Sequence, residues 1–458
     1  MSVDFVIENG TLITADTAYE GALAVDGETI VATGDAVAMP EANKYIDADG
    51  NLVMPGVVDP HVHVDERFSQ DTHETATKAA ALGGITTCIG FAWQLMEDES
   101  STGKTLLDAI EQRIDAGENA VIDYSYHGTI SREDPEVLDE IPEAVEAGIT
   151  SFKLFTAYEV GVGNGFLNRV FKRAADEDVV IVVHTEDESV CETMTERLKA
   201  ENKGDAPWYP TSRPDYAEAM AAEDAVRMAT EAECKYYGFH TTSRKAVEVL
   251  SDFREQYPDL VRAETCTHYT TLDDSIYEEL GNLPMLAPPI RKPDDIEAMF
   301  EYLKTGALDV VSTDHCAYTK ESKQTENWWE CTFGANSLQT SLPVFHDEAV
   351  NNRGYSYPFV VRKLCRNPAR LFGLPNKGTL DPGTDADLVI FDPDDSTTIT
   401  ADDNASKADF SLYEGRTVRG QVDKTFVRGE LVASEGSIVT APGHGEFVER
   451  TIPAWSTN

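Results

Sequence analysis

Eight rounds of strand followed by helix, running from Val57 to about residue 315, constrain this chain more than any other feature. The strand candidates are VVDPHVHV, ITTCIGFA, VIDYSYHG, SFKLFTAY, VVIVVHTE, ECKYYGFH, VRAETCTHY and LDVVSTDH. They are almost continuously apolar, as parallel strands covered on both faces must be. Helical stretches lie between them, among them 71–82, 105–116, 135–147 and 294–305. Eight such units predict an α/β fold, a closed (β/α)8 TIM barrel.

The two ends read differently. Residues 1–54 form short strands set apart by turn residues such as Asn9-Gly10 and Asp26-Gly27. Helical stretches around 337–350 and 357–372 follow the eighth strand, and strand patterns return in DADLVIFDP and QVDKTFVRGELVAS. The segments 1–54 and 378–458 are expected to meet as a small β-sandwich domain beside a barrel domain at 55–377. The longest insertion, 201–217, follows the fifth strand and is rich in Pro, Gly and aromatics. Such barrel loops shape an active site or an oligomer contact.

Polar residues interrupt the strands near their C-terminal ends, where barrel enzymes build their sites. His61 and His63 end the first strand, Lys153 lies in the fourth, His184 in the fifth, His240 in the sixth and Asp314 in the eighth. Alternate strand residues share a side, so His61 and His63 can grip one ion together. A lone HxH occurs in ordinary strands, but six candidate ligands at the ends of five strands are the signature of a two-metal hydrolase. Imidazole nitrogen and carboxylate oxygen suit Zn²⁺ or Mn²⁺ without choosing between them. Lys153 standing alone would be read as a barrel-mouth ion pair, because an ammonium repels cations. Among four histidines and an aspartate, carboxylation by CO₂ is the better reading, since a carbamate offers one oxygen to each of two metals.

Other reactive residues receive quieter expectations. His127, His268, His315 and His346 are read as satisfied core or supporting histidines, with His315 pointing away from Asp314. Cys266 and Cys316 are read as small packing residues. Trp328-Trp329, after the eighth strand, covers either the active site or an oligomer contact.

The chain carries 82 acidic against 37 basic side chains, a formal net charge of −45. The acidic residues are spread throughout, and 41% hydrophobic content in regular periods argues against disorder. Self-repulsion on this scale fits a protein of a salt-accumulating halophile, where it is screened. The same field disfavours nucleic acid and anionic membranes as partners. No apolar run approaches the roughly 18 residues of a membrane span, and the N-terminus does not read as a signal peptide. Seven cysteines are scattered singly, as reduced thiols of a cytoplasmic protein would be.

Several segments together resemble the cyclic amidohydrolases: dihydropyrimidinase (hydantoinase), allantoinase and dihydroorotase. They are MPGVVDPHVH (54–63), SFKLFTAY (151–158), SRP (212–214), ETC (264–266), APPIR (287–291), TDHC (313–316), NPARLFGL (367–374) and KGTLDPGTDADLVI (377–390). The resemblance spans the whole chain. It implies that His61, His63 and Asp314 hold one metal, that His184 and His240 hold the other, and that carboxylated Lys153 bridges them. It also implies that Asp314 shuttles the proton and that Tyr158, five residues past Lys153, hydrogen-bonds the carbonyl oxygen. Ala287 and Asn336 match positions that bind the cyclic amide through backbone groups, although the sequence around them departs from the hydantoinase pattern. Asp65 stands where dihydroorotase carries a carboxylate-binding arginine, with Arg67 nearby, and the loop after His63 looks shorter than in hydantoinases. The expected activity is opening of a hydantoin, dihydropyrimidine or related cyclic ureide, by a homo-oligomer (dimer or tetramer). Allantoinase or dihydroorotase activity is the alternative. A non-enzymatic structural relative is the reading from another class, and the full ligand set argues against it.

Overall fold

The computed structural model describes residues 2–64, 68–94 and 105–455. Eight parallel strands form a nearly closed barrel: β1 (Val57–Asp59), β2 (Ile85–Trp93), β3 (Asp123–Thr129), β4 (Ser151–Phe155), β5 (Val180–His184), β6 (Lys235–Gly238), β7 (Val261–Cys266) and β8 (Val310–Ser312). Neighbours pair in sequence order from β1 to β8. A short parallel pair, Val62–His63 with His315–Cys316, joins the first and eighth units at the C-terminal rim. The Thr313 amide donates to Asp59 Oδ1 at 3.3 Å across the same seam.

Side-chain alternation explains how this sheet presents its ligands. Inward residues Val58, Ile89, Phe91, Val182, Tyr237, Phe239 and Val310 pack into one cluster with Phe372 and Trp455. Ile181, Val183 and Tyr236 face the other way, into the core shared with the helices. Lys153 is in register with Val182, and Val182 with Tyr237, so the lysine faces the barrel interior. Phe155 is in register with His184 one pleat higher, at the mouth.

The helices begin where the sequence supplies caps. Thr72 caps the helix His73–Leu82 in a reciprocal arrangement with Thr75, and Thr105 does the same with Asp108 for Leu106–Ala116. The terminal segments meet in one nine-stranded sheet, joined where Leu52–Pro55 runs antiparallel to Leu388–Phe391. Its buried side chains, among them Phe5, Leu23, Val53, Leu388 and Phe426, form a core distinct from the barrel interior. The last described residues leave this sheet and run along the barrel. Val448 N donates to Tyr124 O at 2.8 Å, the Arg450 guanidinium reaches Ser125 and Ser151, and Trp455 is buried against the barrel interior. Burial of the Trp455 indole, with Nε1 bonded to Leu371 O at 3.0 Å, explains why this tail does not stay with the sheet.

Candidate metal centre

A cavity of about 710 Å³ opens at the C-terminal end of the barrel, and His61, His63, Lys153, His184, His240 and Asp314 all line it. The backbone delivers them in different ways. Pro60 interrupts the first strand, so His61 falls in the break and His63 in the short rim strand. Lys153 lies mid-strand in β4, His184 ends β5, and His240 and Asp314 fall two residues beyond β6 and β8. Three non-glycine cavity residues have left-handed backbone: Tyr158 at φ 69°, His240 at 34° and Asp314 at 46°. Such conformations cost energy in non-glycine residues and concentrate at functional sites.

Asp314 Oδ1 lies 3.0 Å from His61 Nε2 and 3.5 Å from His63 Nε2. One nitrogen from each histidine and one carboxylate oxygen fall within 4.8 Å of each other, close enough to share an ion. His61 Nδ1 is held by Glu264 Oε1 at 2.7 Å, which fixes the ring and turns Nε2 inward. Glu264 itself accepts from Tyr237 at 3.1 Å. Burial would raise the Asp314 carboxyl, but the two histidines overcome it and hold it well below the usual carboxylate range.

Across the cavity, His184 Nδ1 and His240 Nε2 are 2.9 Å apart, and His240 Nδ1 is buried with no partner among the described residues. Burial pushes both imidazoles down; for His240 the neighbouring His184 and Lys153 add to the effect. Both are therefore neutral near pH 7, the form that binds metals. Lys153 Nζ lies 4.2 Å from the Phe239 ring centroid and 4.6 Å from that of Phe155. The donor set, with its orphaned buried nitrogens, fits divalent ions.

A buried ion pair supports the second half of the site. Glu186 accepts from His184 Nε2 at 2.9 Å and is clamped by Arg213, Nε to Oε1 at 2.9 Å and Nη2 to Oε2 at 2.7 Å. Arg213 Nη2 also donates to Tyr158 OH at 2.6 Å, and that hydroxyl lies 3.2 Å from Glu186 Oε2. Burial would raise the Glu186 carboxyl, yet Arg213 and His184 hold it far below its ordinary value. Burial pushes the Tyr158 hydroxyl well up despite Arg213, so it keeps its proton.

Of the remaining expectations, Ala287 lines the cavity. Asn336 does not; it is buried with both amide atoms unpartnered. Trp329 lines the wall, whereas Trp328 is buried and donates to Lys203 O at 2.9 Å. His127 is satisfied by Ser151 and Pro60, and His315 by Asp71 at 2.8 Å and the Ser337 amide. His346 bonds Arg419 O through Nδ1 only. His268 departs from expectation. The seventh strand stops at Cys266 and a helical turn, Thr267–Thr271, carries His268 into a buried position with Nε2 unpartnered. Asp65 and Arg67 lie outside the described residues. Glu186, Arg213, Glu264 and Asp71 were not singled out from the sequence for any role. Glu186 had a readable signal, since it falls two residues after His184 on the same side of the chain.

Among the described residues, the rest of the wall is mostly aromatic and aliphatic, with Phe68, Trp93, Phe155, Val160, Leu286, Tyr318, Trp329 and Phe333, and Glu159, Cys316 and Thr332 add polar groups to it.

Comparison with known proteins gives a consistent result. The Amidohydrolase family matches residues 52–432. An allantoinase of Salmonella choleraesuis is 34% identical over 98% of this chain and 99% of its own. Among solved structures, dihydropyrimidinase from Brevibacillus agri superposes with a TM-score of 0.93 at 31% identity, covering 98% of this chain and 99% of that one. The L-hydantoinase (dihydropyrimidinase) of Arthrobacter aurescens gives 0.91 at 32% identity, covering 98% and 100%. The chain belongs to the amidohydrolase family.

Proposed function

We propose that this protein is a dinuclear metal-dependent hydrolase that opens the ring of a hydantoin, dihydropyrimidine or related cyclic ureide. In this reading His61, His63 and Asp314 would hold one divalent ion, zinc or manganese, and His184 and His240 the second. Lys153 would serve both sets as a carbamate, which its amine forms by adding CO₂ and losing a proton. Two such ions, when bound, acidify water and polarise an amide carbonyl. Asp314, ionised and facing the cavity, accepts the proton of the attacking water and returns it to the departing ring nitrogen. Tyr158, protonated at neutral pH, donates to the carbonyl oxygen as negative charge builds on it. Arg213 and Glu186 aim that hydroxyl. Ala287, which lines the cavity, is assigned to the amide end of the substrate; Asn336, expected beside it, lies behind the lining.

The observation that carries the substrate class is the set of aromatic side chains that share the cavity with the ligands, Phe68, Trp93, Phe155, Trp329 and Phe333 among them. That wall suits a ring bearing an apolar or aromatic substituent. Among the described residues of that wall, the ureido group of allantoin would find few polar partners beyond Glu159 and Thr332. The 34% identity to an allantoinase over nearly the full length nevertheless supports allantoinase as the second reading. Turnover at equal concentrations of hydantoin, an aryl-substituted hydantoin, dihydrouracil, allantoin and dihydroorotate tests the choice. Neutral rings, led by the aryl hydantoin, should be opened fastest; preference for allantoin or dihydroorotate would reverse the assignment.

The same reading includes a cytoplasmic homo-oligomer, dimer or tetramer, in a salt-rich cell. Exposed Trp208, Tyr216 and Met220 on and beside the insertion after β5 support an oligomer contact. Among the described residues no helix is long and apolar enough to cross a membrane. We read the sheet from the two ends as a sandwich-like domain, with boundaries near residues 55 and 378.

A further inference from the structure

Asp314 belongs to two groups of metal-binding side chains. Besides His61 and His63, it faces Cys266 and His268, and one ligand atom from each of Cys266, His268 and Asp314 falls within 4.8 Å of the others. We infer that Cys266, His268 and Asp314 form an additional, inhibitory site for a thiophilic divalent ion such as zinc or cadmium, which draws Asp314 away from catalysis.

Two independent features support this. His268 is 2% exposed and its Nε2 has no hydrogen-bond partner among the described residues, which is costly for a buried polar atom unless something binds there. Cys266 is fully buried, and among the described residues its Sγ has a single weak partner, Ser312 Oγ at 3.4 Å. The local fold brings them together, because the strand ends at Cys266 and the turn that follows swings His268 back towards Asp314. Had the strand continued to Tyr269, Cys266 and His268 would only have shared a face.

The chemistry differs from that of the catalytic set. A thiolate with one imidazole and one carboxylate selects zinc or cadmium over manganese or magnesium. Burial pushes His268 down to about 4, so its ring is neutral and ready to ligate. Burial and the nearby Asp314 and Glu264 carboxylates raise the Cys266 thiol, which keeps its proton until an ion arrives. Binding then forms a metal–sulfur bond, and the thiol proton leaves to solvent. No oxidant or second reactant is needed.

Cadmium titration of the protein carrying its catalytic ions tests the proposal, following thiolate-to-cadmium absorption in the ultraviolet together with ring-opening rate. The band should grow and saturate as turnover falls. Cys266→Ala should lose both the band and the inhibition. His268→Gln, which keeps the side-chain volume, should weaken cadmium binding by at least about tenfold, the loss typical even of an outer-sphere change. Cys316→Ala, which alters another thiol of the cavity, should keep both. No band in the wild type, a band retained in Cys266→Ala, or unchanged affinity in His268→Gln would overturn the site. Cadmium held at Cys266 with turnover unaffected would overturn the shared role of Asp314. The absorption reports on the site whichever ring the enzyme opens.

Discussion

Replacing Arg213 with methionine removes the counter-charge of a carboxylate that has almost no access to water. Glu186 is 1% exposed at its side chain, and the guanidinium supplies two of its hydrogen bonds, at 2.9 and 2.7 Å. Breaking a buried pair from one side costs about 3–5 kcal/mol, because the remaining charge is left uncompensated. Part of that cost is relieved if Glu186 takes up a proton. A protonated Glu186 no longer presents the same acceptor to His184 Nε2, and the Tyr158 hydroxyl loses its donor from Arg213. Arg213→Met should therefore lower stability by several kcal/mol in urea unfolding, weaken the second metal by about 10–100-fold, and reduce kcat. The double variant Arg213→Met with Glu186→Gln removes both charges, so it should recover much of the stability while staying poor in metal binding and turnover. A single variant that loses less than about 1 kcal/mol, the range of an exposed pair, and keeps full metal content would refute this reasoning.

Three further outcomes follow from other parts of the molecule. With a net charge of −45, the melting temperature should fall as salt drops from molar to about 0.1 M, where the Debye length reaches roughly 10 Å; an unchanged value would remove the halophile reading. Asp71, buried between His315, Ser406 and the Lys407 amide, is lowered to about 2; burial opposes the shift and His315 drives it. Its folded value lies below the unfolded one, so it stabilises the protein above about pH 4, by roughly 2–3 kcal/mol, and that contribution disappears as pH falls through 2. The stability gap between wild type and Asp71→Asn, measured against pH, should close over that range and stay constant above it. Tyr158→Phe should keep metal content and lower kcat by about 10²–10³, the loss typical of one oxyanion donor, as steady-state kinetics with metal analysis would show.

The barrel was legible because its strands are buried on both faces and therefore almost purely apolar, so each polar interruption near a strand end stood out. That is how His61, His63, Lys153, His184, His240 and Asp314 could be grouped, and one cavity receives all six. The supporting shell was much less legible. Glu186 and Arg213 are 27 residues apart in sequence and meet only because the insertion after β5 folds back over the mouth. Glu264 precedes Cys266 in a strand whose neighbours give no hint that it reaches His61. The sequence VRAETCTHY predicts a strand that includes His268, because no Gly or Pro marks the point where strand becomes helical turn. The sequence groups the tail with the terminal sheet, since nothing in 443–455 announces that Trp455 is buried in the barrel interior.

The central claim is a two-ion centre that depends on Lys153, and metal content per chain tests it most directly. The protein should be loaded with manganese, which the Cys266 set disfavours, and then dialysed to remove loosely held ions. The account predicts two ions per wild-type chain and no more than one in Lys153→Ala, with the barrel still folded by circular dichroism and partial recovery on adding propionate. Two ions retained in Lys153→Ala, or fewer than two in the wild type, would contradict it.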